Sequence, residues 1–250
     1  MPHTTVILAM SADGKITDTA LTAARFGSAN DKFHLEQQVA ASDAVLFGNG
    51  TLRAYGTTLR VTSPDLLEQR KLQGKPPQPV QIVCSRSRQF DPNWRFFQQP
   101  VPRWLLTGND CRKTAIPLGY SPLGGGWGGL TFDIGATSLF DRTLIANTIE
   151  GEIDWIDAFQ QLEALGIERL AILGGGKLVA SVLAAGLIDE LWLTVCPLIL
   201  GGVDAPTPVE GKGFLADLAP KLELLAVKQV GGEVFLHYRV DRAQSQNTHK

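Results

Sequence analysis

The residues best equipped for chemistry stand where predicted strands end. Ala171-Ile172-Leu173 runs into Gly174-Gly175-Gly176-Lys177-Leu178, which reads as a strand end, a three-glycine turn and the start of a helix. Glycines there let backbone N–H groups approach an anion closely, and a helix N-terminus favours negative charge. A second junction of this kind follows Phe47, where Gly48-Asn49-Gly50-Thr51 opens a short helical stretch. Either run alone is an ordinary turn. Two of them in one sheet of parallel strands predict a pyrophosphate between two helix starts, because ligands collect at the carboxyl ends of such strands. A third strand end carries Cys84-Ser85-Arg86-Ser87-Arg88. Forked guanidinium donors interleaved with hydroxyls can clamp a phosphomonoester such as a cofactor 2′-phosphate, which favours NADPH over NADH. A solvated basic loop accounts for the same residues equally well. Asp13-Gly14-Lys15 follows the first strand: Lys15 is suited to hold a substrate anion or donate a proton, and Asp13 to orient it, unless the two form a simple Asp-Gly turn.

Other chemistries are excluded by spacing. Gly48-x-Gly50 lacks the third glycine of a dinucleotide fingerprint, since Arg53 stands there, and Gly176-Lys177 is followed by Leu178, so no P-loop exists. Cys84, Cys111 and Cys196 are far apart, odd in number and never Cys-x-x-Cys, which supports neither a zinc knuckle nor a disulfide framework. Cys84 and Cys196 lie in apolar runs and read as buried thiols. His3, His34, His237 and His249 show no metal spacing, so no metal is expected, and His237 reads as one face of a strand. The formal net charge is −2 with 19% charged residues, without the basic excess of a nucleic-acid binder. The apolar run Val6 to Met10 is too short for a signal-peptide core or a membrane span, so a soluble cytoplasmic protein is expected.

The positioning elements follow from pattern. Thr4 to Met10 and Asp43 to Phe47 are continuous apolar strands of the kind buried on both faces. Ser28 is a good N-cap for a helix to about Ala41. Pro64 to Leu72 reads as another helix, and Pro76-Pro77-Gln78-Pro79 forces an extended connection to strands Val80 to Cys84 and Arg103 to Thr107. Gly124 to Gly129 reads as an exposed loop. Asp154 caps an amphipathic helix with Trp155, Phe159 and Leu162 at helical spacing, stopped by Gly166. Leu178/Val182 and Val179/Leu183 pair along the next helix, closed by Gly186, before a strand Leu187 to Val195. Gly231-Gly232 between two alternating runs signals a hairpin. The sum is an α/β fold: one mixed, mostly parallel sheet flanked by helices, with an antiparallel hairpin at its end, in a single domain of residues 1–242 and a polar tail of 243–250.

Three stretches carry a family resemblance. Met10-Ser11-Ala12-Asp13-Gly14-Lys15-Ile16 is similar to the Ser-Leu-Asp-Gly-Lys-Ile motif of the riboflavin-biosynthesis pyrimidine reductases. Ala41 to Thr51 resembles their Ala-Asp-Ala-Val-Leu-Val-Gly-Ala-Gly-Thr. Gly174 to Leu178, then Leu187-Ile188-Asp189-Glu190-Leu191 and Cys196-Pro197-Leu198-Ile199-Leu200-Gly201-Gly202, complete the set in order. The resemblance implies a dihydrofolate reductase-like fold, NADPH as cofactor, a homodimer, and reduction of the ribosyl group of 5-amino-6-(5-phosphoribosylamino)uracil to a ribityl group. Carried over by motif, it implies cofactor contacts at Gly48, Gly50, Thr51, Gly174, Gly175, Gly176 and Leu178. It also implies a 2′-phosphate site at Ser85 with Arg86 or Arg88, Thr107 on the cofactor rim, and Lys15 supported by Asp13 on the substrate side. No His-x-Glu with Pro-Cys-x-x-Cys of the zinc deaminase half fused to many members appears, so a stand-alone reductase module is expected. The chain departs from the family where Leu173 replaces the Glu before the glycines and where Arg53-Ala54-Tyr55-Gly56-Thr57 replaces an Asp-Asp-Pro type of stretch. Because both departures fall on the substrate side, a reductase of another substrate and a cofactor-binding protein without reductase activity stay open.

Overall fold

The computed structural model describes residues 1–109 and 138–241; Cys111, the Gly124 to Gly129 loop, His249 and the tail lie outside them. Strand β1 (His3–Ser11) leads through helix α1 (Ala29–Ala41) to β2 (Ala44–Gly48), and then come α2 (Asn49–Tyr55), α3 (Pro64–Leu72) and β3 (Val80–Cys84). A 3-10 turn at Arg95–Gln98 precedes β4 (Arg103–Gly108) and β5 (Arg142–Ala146), and β6 (Thr148–Ile149) and β7 (Glu152–Ile153) form a small hairpin. The chain continues with α4 (Trp155–Ala164), β8 (Arg169–Ile172), α5 (Gly176–Ala184), β9 (Glu190–Cys196), β10 (Lys221–Val230) and β11 (Glu233–Asp241).

Among the described residues nine strands form one sheet in the order β10-β11-β9-β1-β8-β2-β3-β4-β5. Every pairing from β9 to β5 is parallel, whereas β11 joins β9 and β10 in antiparallel sense. The sheet is therefore mostly parallel with the hairpin at one edge, as the patterns imply. Consecutive strand residues point to opposite faces, so a doubly buried strand must be apolar throughout. Val6, Leu8, Leu46, Ile82 and Leu106 face α4 and α5, where they pack with Phe159, Leu162, Val179 and Val182. Ile7, Val45, Phe47, Val83 and Leu105 face the other way, against Val39 of α1, Leu52 of α2, Leu66 of α3 and the Phe96 and Phe140 rings.

The caps explain where helices begin and end. Asp154 accepts from the N–H groups of Ile156 and Asp157, and Ser28 from those of Asn30 and Asp31. Gly166 and Gly186 take left-handed φ values of 82° and 68°, which a side chain would disfavour. The strand expected over Leu187 to Val195 begins only at Glu190, because Leu187 and Ile188 are buried in the connection and the Asp189 carboxylate accepts the Thr4 N–H at 2.8 Å. The hairpin carries a bulge between Leu224 and Ala226, which shifts the simple alternation. Strands β5, β6 and β7 are additional to those read from the sequence; β6 and β7 are two residues each, too short for any period to show.

Arg70 is 1% exposed and ties α3 to the end of α1. Its Nη1 donates to the Ala40 and Ser42 carbonyls at 2.6 and 2.7 Å, and its Nε to Pro76 O at 2.8 Å. Replacing it leaves buried carbonyls without donors, so Arg70→Met is expected to lower the unfolding free energy by about 2–4 kcal/mol in urea titration. An unchanged midpoint would contradict this role.

Candidate functional site

Because β1, β8, β2, β3 and β4 run parallel, the segments leaving their carboxyl ends meet on one rim. The central pair is β8 and β2. Gly48 N donates to Gly174 O at 3.0 Å, so the two glycine junctions are bonded to each other. Gly48 and Gly175 occupy the N-cap positions of α2 and α5, both extended and both without a side-chain cap. A Cβ on Gly175 would lie 3.7 Å from Thr51 Oγ1, one on Gly48 would lie 4.0 Å from Gly175 N, and one on Gly50 would meet nothing within 4 Å. The space over the two junctions is therefore walled by backbone and by Thr51. The first helical bond of α5 runs from Val179 N to Gly175 O, leaving the N–H groups of Gly176, Lys177 and Leu178 without intrahelical acceptors. The Leu178 side chain belongs to the core, so what it offers a ligand is its backbone N–H.

Gly176 serves a different end. A Cβ there would lie 2.3 Å from Thr207 O and 2.8 Å from Glu210 Oε2, and Glu210 N donates to Gly176 O at 3.2 Å. The third glycine admits the chain's own 207–210 segment.

On the next strand end, Ser85 is buried and its Oγ accepts from Arg88 N at 3.1 Å, closing the turn that displays Arg86 and Arg88. Arg86 pairs with Glu152 of β7 at 2.7 Å, with both side chains largely exposed. An exposed ion pair of this kind is weak and yields readily to a phosphate. Thr107 is 1% exposed near the end of β4, one strand further along the rim. Asn109, just beyond it, accepts from Thr148 Oγ1 at 2.7 Å.

The β1 loop lies on the other side of β8. Ser11 Oγ donates to Asp13 Oδ1 at 2.6 Å and accepts from Lys15 N at 2.9 Å. The Asp13 carboxylate also accepts from Leu200 N at 3.1 Å and Gly201 N at 2.7 Å, so it latches the β1 loop to the segment after β9. These donors, Ser11 foremost, hold its carboxyl down at about 2. Lys15 is half-buried beside the same segment, with its Nζ 3.2 Å from Ala205 O.

A second polar group on this side has no counterpart among the residues picked out by motif. Asp31, in the first turn of α1, sits against Gly27, where a Cβ would lie 2.2 Å from its Oδ2. Burial pushes its carboxyl up, opposed by a hydrogen bond from Thr194 and reinforced by the charge of Glu233. Glu233 opens β11, is 3% exposed, and accepts from Ser28 N and Oγ at 2.7 and 2.6 Å. Cys196 is buried as expected and lies 3.8 Å from Glu233 Oε1; burial, with Asp31 and Glu233, pushes its thiol up to about 12. Cys84 is only half-buried. Tyr55, the last residue of α2, donates to Ala24 O at 2.8 Å and feels the charge of Asp31, so Asp31 lies between α1, α2 and the ends of β9 and β11. The sequence signal was present as Ser28-Ala29-Asn30-Asp31, but it is indistinguishable from a helix cap. His237 lies on its strand face as read, stacked on Trp192 at 4.0 Å and paired with Glu190 at 2.9 Å. Among the described residues no cluster of His, Cys, Asp and Glu could hold a metal ion.

The depressed Asp13 carboxyl gives a pH prediction. A carboxylate with a lowered folded pKa contributes stability above its unfolded value, and loses it as pH falls through the folded value. The Leu200 and Gly201 amide resonances should therefore titrate with a midpoint near 2. A midpoint near 3.8 would show that the latch is absent.

Comparison with known proteins extends these observations. The model of the RibD C-terminal domain family matches residues 2–236. A 2,5-diamino-6-ribosylamino-4(3H)-pyrimidinone 5′-phosphate reductase of Archaeoglobus fulgidus is 28% identical over 86% of this chain and 89% of its own length. A protein of the same name from Methanothermobacter thermautotrophicus is 25% identical over 96% and 98%. The solved structure of a pyrimidine reductase-like protein from Corynebacterium diphtheriae superposes with a TM-score of 0.73 at 22% identity, over 96% of this chain and 92% of that one. The riboflavin biosynthesis reductase Rib7 of Saccharomyces cerevisiae gives a TM-score of 0.63 at 16% identity, over 96% and 90%. These two structures share the fold, and the family match runs from β1 into β11 across every rim segment described above: the chain belongs to the RibD C-terminal domain family.

Proposed function

We propose that this protein is an NADPH-dependent reductase of riboflavin biosynthesis that converts the ribosylamino group of a phosphorylated pyrimidine to a ribitylamino group. The observation that carries the reading is the hydrogen bond from Gly48 N to Gly174 O, which sets two side-chain-free junctions face to face. The archaeal relatives that match the chain nearly end to end are named as reductases of the 2,5-diamino-4-pyrimidinone form, which favours it over the uracil form as substrate.

The residues present fit the dinucleotide. Gly48, Gly50 and Gly175 leave room for a pyrophosphate that a side chain would narrow, Gly174 lends its backbone with its Cβ direction toward Leu8 of the core, and the first turn of α5 offers N–H groups. Thr51 borders the same space. Ser85, Arg86 and Arg88 would read the 2′-phosphate, with Arg86 exchanging Glu152 for it. Thr107 completes the rim. Bound NADPH supplies the hydride, and the protein supplies position and electrostatics. Lys15 holds the substrate's anion from the β1 loop, and Asp13 fixes that loop rather than exchanging protons itself.

We also assign a homodimer to the β10 edge of the sheet. Leu222, Leu224 and Val227 are 47%, 52% and 57% exposed, and among the described residues no strand lies beside the outer side of β10. An exposed apolar edge is what a second copy would cover.

Titration with NADPH and NADH, followed by tryptophan fluorescence, tests the reading. NADPH should bind the more tightly of the two. Gly50→Ala and Gly175→Ala should fold normally, since no Cβ clash exists, yet weaken NADPH binding about tenfold, or ~1.4 kcal/mol. Lys15→Ala should lower turnover on the ribosylaminopyrimidine phosphate more than NADPH affinity. Full NADPH affinity in both glycine variants would refute the cradle. Tight NADPH binding with no oxidation in the presence of that substrate would favour the binding-only reading that Leu173 motivates.

A further inference from the structure

We propose that Asn49 is a positioning residue for cofactor choice: its side-chain amide ties the 85–89 turn, which displays Arg86 and Arg88, to the glycine cradle, and so sets the preference for a dinucleotide that bears a 2′-phosphate. The inference rests on the reductase reading and deepens it.

The two loops leave neighbouring strands at the same level, since Gly48 at the end of β2 is the register partner of Cys84 at the end of β3. Asn49 follows Gly48 directly and is the first residue of α2. Its Nδ2 donates to the Gln89 carbonyl at 3.3 Å. A carbonyl can only accept, so the amide nitrogen and not the oxygen faces the turn. The turn is fixed at both ends. Ser85 N donates to Leu106 O at 3.0 Å, and the Phe90 ring packs against Phe140 at 5.0 Å and Phe97 at 6.1 Å. Between these anchors the only left-handed residue is Arg88, with φ of 52°. A side chain disfavours that conformation, so it persists only where surrounding bonds impose it. Ser85 Oγ, accepting from Arg88 N at 3.1 Å, supplies one such bond and Asn49 on Gln89 supplies the next.

Folding gives no reason for an asparagine here. The N-cap of α2 is Gly48 and has no side-chain bond, so Asn49 does not serve as a cap. Its Oδ1 is buried and, among the described residues, meets no donor. An unpaired buried acceptor counts against the fold, and alanine is the better helix former. The motif that this run resembles has Ala between its two glycines, and Ala cannot reach the turn. A cofactor supplies the reason. The pyrophosphate and the 2′-phosphate of one dinucleotide are joined through a single ribose, so the groups that receive them must keep a fixed separation. A bond between the two loops holds that separation before the ligand arrives and lowers the cost of binding. NADH has no 2′-phosphate and gains nothing from the turn.

The test compares NADPH and NADH dissociation constants, read by tryptophan fluorescence, in the full-length protein, in Asn49→Ala, in Arg86→Gln with Arg88→Gln, and in all three substitutions together. Asn49→Ala should weaken NADPH binding about three- to tenfold, the size of one lost hydrogen bond. NADH binding and the thermal midpoint should stay where they are. In the background without the two arginines Asn49→Ala should have no further effect, because the tether then has nothing to position. A second readout needs no variant and serves if Asn49→Ala does not fold: the Asn49 side-chain NH2 resonances should shift on adding adenosine 2′,5′-bisphosphate and stay put on adding adenosine 5′-monophosphate. Equal losses for NADPH and NADH, the same loss without the arginines, or an unchanged NADPH affinity beside a retained preference for NADPH would each overturn the tether alone. No preference for NADPH in the unsubstituted protein would overturn the tether together with the 2′-phosphate site on which it rests.

Discussion

The arrangement of this molecule depends on the parallel pairing of β2 with β8, carried past the end of both strands by the bond from Gly48 N to Gly174 O. Two segments more than a hundred residues apart in sequence are thereby held as neighbours, each opening a helix through an uncapped glycine. Neither junction would amount to a site alone. Together they leave a backbone-walled space at the centre of a rim, flanked on one side by the β3 and β4 ends and on the other by β1 and β9. Strand order creates the site, and the apolar layers on both faces of the sheet keep that order.

The rim divides its chemistry about this centre. The β3 end carries arginines and hydroxyls suited to a phosphomonoester. The β1 and β9 ends carry carboxyls, and their environments pull these apart. Asp13 meets three donors and stays ionised well into acid, whereas burial pushes the Asp31 carboxyl up against the opposing hydrogen bond from Thr194.

Much of the fold was legible because burial on both faces demands unbroken apolar strands and because caps punctuate the helices. Ser28, Asp154, Gly166 and Gly186 mark their helix ends in sequence and in structure alike. The two glycine junctions were legible as a type, and their adjacency followed from expecting a parallel sheet. What stayed hidden was long-range. Nothing in the sequence says that Gly176 is a glycine for the sake of Thr207 and Glu210, or that Asp13 reaches Leu200 and Gly201. Glu233 looks like a turn residue, and only β11 laid beside β9 brings its carboxylate to Ser28, the cap of α1. The small hairpin β6–β7 escaped notice because strands of two residues have no period to read.

The central claim is that the two glycine junctions form one dinucleotide cradle. Amide chemical-shift mapping of the isotope-labelled protein during NADPH addition tests it most directly. The account predicts that Gly48, Gly50, Thr51, Gly174, Gly175 and Leu178 shift together along one saturation curve, with Ser85 and Arg88 moving for NADPH but not for NADH. Shifts confined to one junction, or none at either, would contradict it.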